Sequence, residues 1–240
     1  NDFDSIADIY DQLVDWAPYE DWVRDLERRL RAHGLPRQAW ILDAACGTGL
    51  STLPWLERGY RVVGVDESEP MLRMARGRFA DEGYQVELLR QNFLDLDPGR
   101  DFDLVLCMHS GLDYVLDEDE LEQVFVSFRR CVRPGGLLAF DKCLDEPEFY
   151  HEDYGNTRRL TVGKARFEYH WDISRARMEQ RCTVTRTDGD EPTRHEFVYH
   201  LQATEPDHLE DMLEAAGFIC VEPPEQFSVE DPGAGIYRAV

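Results

Sequence analysis

The strongest fold signal in this 240-residue chain is the stretch Ile41-Leu42-Asp43-Ala44-Ala45-Cys46-Gly47-Thr48-Gly49. A short apolar run ends there in two glycines one residue apart, and glycine lets the backbone bend sharply and lets a ligand approach the main chain closely. A dinucleotide fingerprint would need a third glycine three residues after Gly49, but that position is Thr52. The stretch therefore predicts a strand that ends at a ligand site without the dinucleotide fingerprint.

Further apolar runs follow along the chain, and helical stretches separate them. Strands that are almost wholly apolar and alternate with helices favour a parallel sheet that is covered on both faces. We therefore predict a doubly wound α/β fold, in which ligands bind outside the carboxyl ends of the strands. The predicted strands are 39–43, 61–66, 86–89, 102–107 and 137–141, followed late in the chain by 218–221 and 236–240.

Helix and turn signals surround these strands. We predict two N-terminal helices over 3–15 and 18–33, the second with apolar residues at helical spacing. The sequence Pro134-Gly135-Gly136 predicts a turn before the fifth strand. The expected boundary residues of the later helices are the N-caps Ser68 and Asp117, the first residue Pro206 and the closing Gly217.

Residues 156–204 interrupt the alternation of strands and helices. Apolar and polar residues alternate there, and Asp188-Gly189 is typical of a hairpin turn, so we predict an antiparallel segment with one apolar face. The apolar stripe is predicted to be core rather than pocket lining, and the histidines of opposite parity are predicted to be exposed. The stripe comprises Phe167, Tyr169 and Trp171, and the histidines are His170 and His200.

The composition limits the partners and the compartment. The chain has 26 Lys and Arg against 49 Asp and Glu, a formal net charge of −23, which argues against a general nucleic-acid binder. No apolar run reaches the roughly 20 residues that a membrane helix requires. The first 16 residues lack a signal-peptide pattern, and the six cysteines show no CxxC pair and no metal-ligand spacing. We therefore predict a cytoplasmic protein with reduced cysteines, no membrane partner and no metal.

The motif D-x-A-x-G-x-G at 43–49, with Asp66 after the second strand, is similar to that of class I S-adenosylmethionine-dependent methyltransferases. Four later segments resemble the same family in the expected order. They are the adenine-contact segment 91–96, the fourth strand 102–105, the turn 133–136 and the helix-to-strand join 213–218. The N-terminal segments 7–11 and 19–22 resemble those of small-molecule N-methyltransferases.

This resemblance implies a Rossmann-like sheet of seven strands with the last one antiparallel. It also implies a division into three parts. Residues 1–35 would form helices over the cofactor site, residues 36–145 and 206–240 the core that binds S-adenosylmethionine, and residues 146–205 an antiparallel β lid over the acceptor. The product of the cofactor would be S-adenosylhomocysteine.

Several residues have the chemistry that the cofactor requires. The Asp43 carboxylate suits an ammonium group, and Asp66 can accept hydrogen bonds from ribose hydroxyls. Asn92 stands where the family often has Asp, but its amide oxygen can still accept from the adenine amino group. The full set of predicted cofactor residues is Tyr10, Asp43, Ala45, Gly47, Gly49, Asp66, Glu67, Met71, Asn92, Phe93 and Met108.

The loop 107–114 after the fourth strand faces the acceptor in this family. It lacks both the (D/N)PP(Y/F) pattern of DNA amino-methyltransferases and the Pro-Cys nucleophile of C5 chemistry. His109, with an ordinary pKa of about 6.5, could orient or deprotonate an acceptor. In the N-methyltransferases that the chain resembles, a tyrosine near the N-terminus covers the methyl donor, and Tyr10 matches its position. An aromatic face there would attract the sulfonium methyl by about 0.5–2 kcal/mol. The catalytic candidates are Tyr10 and His109, and the acceptor-binding candidates are His109, Asp113 and Tyr114; a structural role for each remains an alternative.

The resemblance predicts methyl transfer to a nitrogen of a small metabolite. The acidic surroundings would favour a cationic or amine-bearing acceptor, and the chain would act as a monomer or homodimer. Two alternatives remain open: an oxygen acceptor, and a protein of this fold that binds the cofactor without turnover.

Overall fold

A seven-stranded sheet forms the centre of the computed structural model, which describes residues 2–145, 157–162, 165–174, 177–187, 192–225 and 233–240. Its strands, in chain order, are β1 (Trp40–Ala44), β2 (Arg61–Asp66), β3 (Glu87–Arg90), β4 (Phe102–Cys107), β5 (Val132–Phe140), β10 (Phe218–Glu222) and β11 (Gly235–Ala239). A second sheet contains the four strands between them, β6 (Thr157–Val162), β7 (Ala165–Ser174), β8 (Arg177–Arg186) and β9 (Thr193–Gln202).

Helices cover the large sheet. The α-helices are α1 (Tyr10–Leu13), α2 (Tyr19–Ala32), α3 (Thr52–Glu57), α4 (Glu69–Asp81), α5 (Glu118–Cys131) and α6 (Pro206–Ala215). Short 3₁₀ helices span Asp2–Ser5, Phe93–Asp95 and Gly111–Tyr114.

The strand order of the large sheet is β10-β11-β5-β4-β1-β2-β3. Strands β3, β2, β1, β4 and β5 pair in parallel, whereas β11 pairs antiparallel with both β5 and β10. The chain leaves β1 toward β2 on one side and later returns to β4 on the other, so the switch point lies at the carboxyl end of β1. The predicted doubly wound sheet with an antiparallel last strand is confirmed.

The two faces of the large sheet have separate cores, because successive side chains of a strand point to opposite faces. In β1, Ile41 belongs to the cluster that contains Trp55 of α3 and Phe79 of α4. The next residue, Leu42, belongs to the cluster that contains Phe125 of α5. Ile41 and Leu42 are both fully buried, which explains why the strands are continuously apolar rather than alternating.

The predicted turn Pro134-Gly135-Gly136 is a bulge within β5 rather than a turn before it. Phe102 pairs with Val132, and two residues later Leu104 already pairs with Leu137. Four residues of β5 are therefore looped out against one residue of β4. The strand begins earlier than the sequence predicts because Val132 resumes the pairing on the far side of the bulge.

The predicted N-terminal helix over 3–15 is wrong. The chain forms a 3₁₀ turn, a series of turns and the single-turn helix α1 instead. Side-chain contacts with the core explain the break: Ser68 Oγ donates to Asp4 Oδ1 at 2.5 Å, and Thr48 Oγ1 donates to Asp11 Oδ1 at 2.6 Å. These tertiary hydrogen bonds outweigh the weak local preference for a helix. The second predicted helix is confirmed as α2.

The predicted helix boundaries hold. Ser68 Oγ accepts from the Met71 N–H at 3.3 Å at the start of α4, and Asp117 Oδ1 accepts from the Glu120 N–H at 3.2 Å at the start of α5. Helix α6 begins at Pro206, and Gly217 follows its end with φ +91°. These caps satisfy backbone groups that a helix end otherwise leaves without partners.

The second sheet is antiparallel, in the order β6-β7-β8-β9, and this confirms the predicted strand type of the insert. Phe167 is buried in a cluster with Ile6 and Ile9 of the N-terminal segment, whereas His170 is exposed. The Asp188-Gly189 turn and the side chains of Tyr169 and Trp171 lie outside the described residues. The apolar face of this sheet thus packs on the first residues of the chain.

In the part of the chain that the structure describes, no helix combines the length and the apolar character that crossing a membrane requires.

Gly49 is predicted to tolerate alanine less well than Gly59. Both glycines have left-handed backbone, with φ +81° and +83°, which costs an alanine about 1–2 kcal/mol. A Cβ at Gly49 would also lie 2.5 Å from Phe79 Cζ, whereas one at Gly59 would meet no atom within 4 Å. We expect Gly49→Ala to lower the free energy of unfolding by about 1–3 kcal/mol more than Gly59→Ala, the usual range for overpacking. Urea unfolding of both variants measures the difference, and equal losses would contradict this packing.

Candidate active site

A cavity of about 390 Å³ opens where β1, β2, β3 and β4 end. Its volume falls within the roughly 300–1,000 Å³ of small-molecule sites. Eleven of the sequence-predicted site residues line it: Tyr10, Ala45, Gly47, Asp66, Glu67, Met71, Asn92, Phe93, Met108, His109 and Tyr114. Six further lining residues were not predicted individually: Phe3, Gln91, Gly111, Leu116, Val198 and Tyr199. Of these, Gln91 lies in the predicted adenine-contact segment and Gly111 in the predicted acceptor loop. His200, which was predicted only to be exposed, also lines the cavity.

Asp66 connects the glycine-rich turn to the end of β2. Its Oδ2 accepts from the Gly47 N–H and its Oδ1 from the Ser68 N–H, both at 2.9 Å. Burial raises the pKa of Asp66 above its ordinary value. A Cβ added at Gly47 would meet no atom within 4 Å, so the main chain there faces open space. This carboxylate beside bare backbone fits a ligand with hydroxyl groups, such as the ribose of S-adenosylmethionine.

Asn92 lines the cavity together with its neighbour Phe93. Its Nδ2 donates to Glu67 Oε2 at 3.0 Å, and its Oδ1 accepts from the Leu94 N–H at 2.9 Å. An amide oxygen has two lone pairs, so Asn92 can accept a second hydrogen bond. Phe93 and Met71 provide apolar surface in the same region. A polar acceptor beside apolar walls fits a flat base such as adenine.

Asp43 and Gly49 do not line this cavity. Asp43 is only 2% exposed, and the Thr52 hydroxyl donates to its Oδ2 at 2.5 Å. Burial raises the pKa of Asp43 to about 6. Asp43 reaches a second, much smaller cavity on the side of Tyr19, and Gly49 faces Phe79. The assignment of Asp43 to an ammonium group therefore stays a prediction, while its hydrogen bond with Thr52 joins the end of β1 to the start of α3.

His109 lies in the wall between the two cavities. Its ring stacks on Tyr19 of α2, with centroids 4.4 Å apart, and lies 5.1 Å from the ring of Trp22. Burial among these groups lowers the pKa of His109 to about 4. The imidazole is thus neutral at physiological pH, where it can hold a hydrogen bond but is a weak base.

Four aromatic rings form one wall of the cavity, and we refer to Phe3, Tyr10, Tyr114 and Tyr199 as the aromatic wall. Phe3 stacks on Tyr199 at 5.0 Å and meets Tyr114 edge-on at 5.4 Å and Tyr10 edge-on at 6.1 Å between centroids. Burial raises the pKa of Tyr10 to about 12, so its ring stays neutral. The wall joins the N-terminal segment, the loop after β4 and strand β9.

Asp113 does not line the cavity, contrary to the sequence prediction. It is fully buried, with Lys142 Nζ at 3.0 Å and the Cys143 N–H at 2.9 Å from its Oδ1. A buried carboxylate needs such partners, and Lys142 provides the compensating positive charge. His200 was predicted to be exposed; its side chain is 39% exposed and also contributes to the cavity wall, with its Nε2 3.3 Å from Glu179 Oε2.

Among the described residues, no three His, Cys, Asp or Glu side chains are grouped so that they could hold a metal ion.

Residues 41–136 match the family described as "Methyltransferase domain". A Geobacillus sp. (strain WCH70) protein provisionally named a methyltransferase is 27% identical over 235 residues, covering 96% of this chain and 94% of that protein. The dTDP-3-amino-3,6-dideoxy-alpha-D-glucopyranose N,N-dimethyltransferase of Streptomyces fradiae is 32% identical over 152 residues, covering 62% of this chain and 55% of that protein. The match thus spans nearly all of the first relative and about half of the second.

Solved structures share the fold over the whole chain. An S-adenosylmethionine-dependent methyltransferase from Clostridium acetobutylicum ATCC 824 has a TM-score of 0.82 at 20% identity, covering 100% of this chain and 99% of that chain. An amino pentose methyltransferase from Micromonospora echinaspora, solved with S-adenosylmethionine bound, has a TM-score of 0.77 at 21% identity, covering 97% of each chain. At these identities the likeness establishes the fold.

Asp66→Ala is expected to weaken the binding of S-adenosylhomocysteine. The variant removes the carboxylate that faces the cavity, and a hydrogen bond to a charged group contributes about 1.5–3 kcal/mol. Calorimetric titration measures this loss, with Asp81→Ala at the exposed end of α4 as the control. An affinity equal to that of the control would contradict the ribose assignment, provided that thermal unfolding shows Asp66→Ala to be folded.

The pKa of His109 is expected to lie near 4, well below its ordinary value of 6.5, because the ring is buried against Tyr19 and Trp22. NMR titration of the imidazole resonances measures it, and the signal that disappears in His109→Gln identifies the residue. A midpoint near 6.5 would show that the ring is exposed to water and would contradict this packing.

Proposed function

We propose that this chain is a class I S-adenosylmethionine-dependent methyltransferase that methylates a nitrogen of a small metabolite; the domain match, the fold and a relative that matches over nearly its whole length support this. The observation that carries the proposal is one continuous cavity, which runs from Asn92 and Asp66 to the neutral His109 and the aromatic wall. The lining residues Asn92 and Asp66 fit a nucleoside, and those at His109 and the aromatic wall fit a small acceptor.

Within this proposal, the residues of the chain mainly hold and align the reactants. When bound, S-adenosylmethionine supplies an activated methyl group. Asp66 and the bare backbone at Gly47 would hold the ribose, while the aromatic wall would hold the acceptor. The neutral His109 would accept a hydrogen bond from an acceptor N–H and so direct the nitrogen lone pair toward the methyl carbon. Alignment of this kind can lower a barrier by about 7 kcal/mol or more.

The state of His109 favours a nitrogen acceptor over an oxygen acceptor. An amine has to arrive unprotonated, but it needs no base to attack. A hydroxyl group benefits from a base whose pKa is near the working pH, and burial keeps the pKa of His109 at about 4. The rings of the aromatic wall would in turn attract an amine in its cationic form.

The names of two similar proteins support the same acceptor class. One is named an N,N-dimethyltransferase of a dTDP-linked amino sugar, and the other an amino pentose methyltransferase. Both names indicate small acceptors that carry an amino group. We propose a small amine for this chain on that basis, together with the cavity chemistry.

We also propose that residues 146–205 act as a lid over the acceptor, with residues 1–35 over the cofactor and residues 36–145 and 206–240 as the core. The lid proposal is supported by strand β9, which contributes Val198, Tyr199 and His200 to the lining of the cavity. All six cysteines are free thiols, which suits a reducing compartment. We therefore propose that the protein is located in the cytoplasm. Monomer and homodimer both remain predictions.

The test is incubation with S-adenosylmethionine labelled at the methyl group and a panel of small amines matched with phenols and alcohols. We expect label on amines, with a rate that rises with pH as the amine loses its proton. Label on hydroxyl acceptors alone would replace the proposal by its oxygen alternative. Binding of S-adenosylhomocysteine without label transfer to any member would favour the cofactor-binding alternative.

A further inference from the structure

The loop after β4 contains an unusual stretch of backbone. His109 and Ser110 both have left-handed φ values, +65° and +59°, although neither is glycine. Residues that have a Cβ rarely adopt this backbone conformation, because their Cβ comes too close to the following carbonyl oxygen. Two such residues in succession persist only when surrounding contacts hold them. The conformation also determines where the His109 ring lies, since it fixes the direction of the Cα–Cβ bond.

The contact that holds this backbone comes from the end of the neighbouring strand. Asp141 follows β5 directly and is 2% exposed, and its Oδ2 accepts from the Ser110 N–H at 2.8 Å. The His109 N–H also favours the charged form of this carboxylate. The Asp141 carboxylate thus lies against two successive N–H groups of the loop.

Ion pairing does not account for Asp141. The adjacent buried cation, Lys142, is engaged with Asp113 through its Nζ at 3.0 Å. Within the described residues, Oδ1 of Asp141 has no hydrogen-bond partner. Burial and the nearby Asp113 charge raise the pKa of Asp141 to about 7, so the carboxylate is costly to keep where it is. The N–H groups of Ser110 and His109, together with the N–H of Asp141 itself, are the contacts that compensate for that cost.

We propose that Asp141 is a positioning residue for methyl transfer: it holds His109 and Ser110 in the left-handed conformation and so keeps the His109 ring stacked at the cavity wall. Asp141 lies outside the lining of the cavity and acts through the loop. The structural part of this inference does not depend on the acceptor, whereas its effect on turnover rests on the proposed function of His109.

The test uses Asp141→Leu, which has a similar size but accepts no hydrogen bond. We expect the loop to relax and the His109 ring to leave Tyr19, so that its NMR resonances shift and its pKa rises from about 4 toward 6.5. For an amine that is methylated, kcat/KM should fall by about 100-fold, the usual loss when a reacting group is misplaced by 1 Å. Binding of S-adenosylhomocysteine should remain as in the wild type.

A second substitution separates positioning from general stability. Ser110→Gly in the Asp141→Leu background should restore the His109 resonances and much of kcat/KM, because glycine adopts positive φ without strain. The matched control is Asp103→Leu. Asp103 also accepts a backbone N–H at 2.8 Å, from Trp40, but at the other end of β4. We expect the control to lose stability without moving the His109 signals.

The outcomes distinguish this inference from the proposed function. Unmoved His109 resonances in a folded Asp141→Leu variant would overturn the inference, whatever the activity. Resonances that move and are restored by Ser110→Gly would support it even if kcat/KM did not change, and that result would instead contradict the role proposed for His109. If Asp141→Leu does not fold, Asp141→Asn replaces it, because a neutral amide oxygen accepts more weakly and should shift the same signals less.

Discussion

The hydrogen bonds between Asp66 and the backbone N–H groups of Gly47 and Ser68 connect three parts of the molecule. They join the turn after β1, the end of β2 and the first turn of α4. The sheet geometry makes them possible, since the carboxyl ends of neighbouring parallel strands lie side by side. Asp66 therefore shapes the turn and faces the cavity at the same time. The raised pKa of Asp66 reflects the cost of burying its carboxylate there. A ligand with hydroxyl groups would supply further hydrogen-bond donors and so lower that cost.

The N-terminal segment, residues 3–11, forms part of the cavity wall and is fixed to the core by side-chain hydrogen bonds. Asp4 and Asp11 bind the core at Ser68 and Thr48, and Arg78 of α4 also donates to Asp11. These contacts bring Phe3 and Tyr10 into the aromatic wall and bring Ile6 and Ile9 against the second sheet. The segment thus links the two sheets, and its irregular backbone results from side chains that satisfy tertiary partners rather than a helix.

On the acceptor side, burial separates the charged groups from the groups that face the cavity. Asp113 and Lys142 form a fully buried pair, and Asp141 binds the loop backbone. His109, which the loop presents to the cavity, is kept neutral by its aromatic neighbours. The methyl-transfer chemistry that we propose suits this arrangement, because a neutral hydrogen-bond acceptor can orient an amine without competing for its proton.

The sequence by itself predicted the sheet and a ligand site at the carboxyl end of β1, and its resemblance to class I methyltransferases implied S-adenosylmethionine as the cofactor. Apolar runs, glycine spacing and Asp66 are local signals, and strand ends meet at one edge whatever the rest of the chain does. Tertiary structure alone decided that Asp43 and Asp113 are buried, that residues 3–15 are not one helix, and that Phe3, Tyr199 and His200 reach the cavity. The reason is physical: burial and long-range contacts depend on which distant segments meet, and no spacing rule within a segment records that.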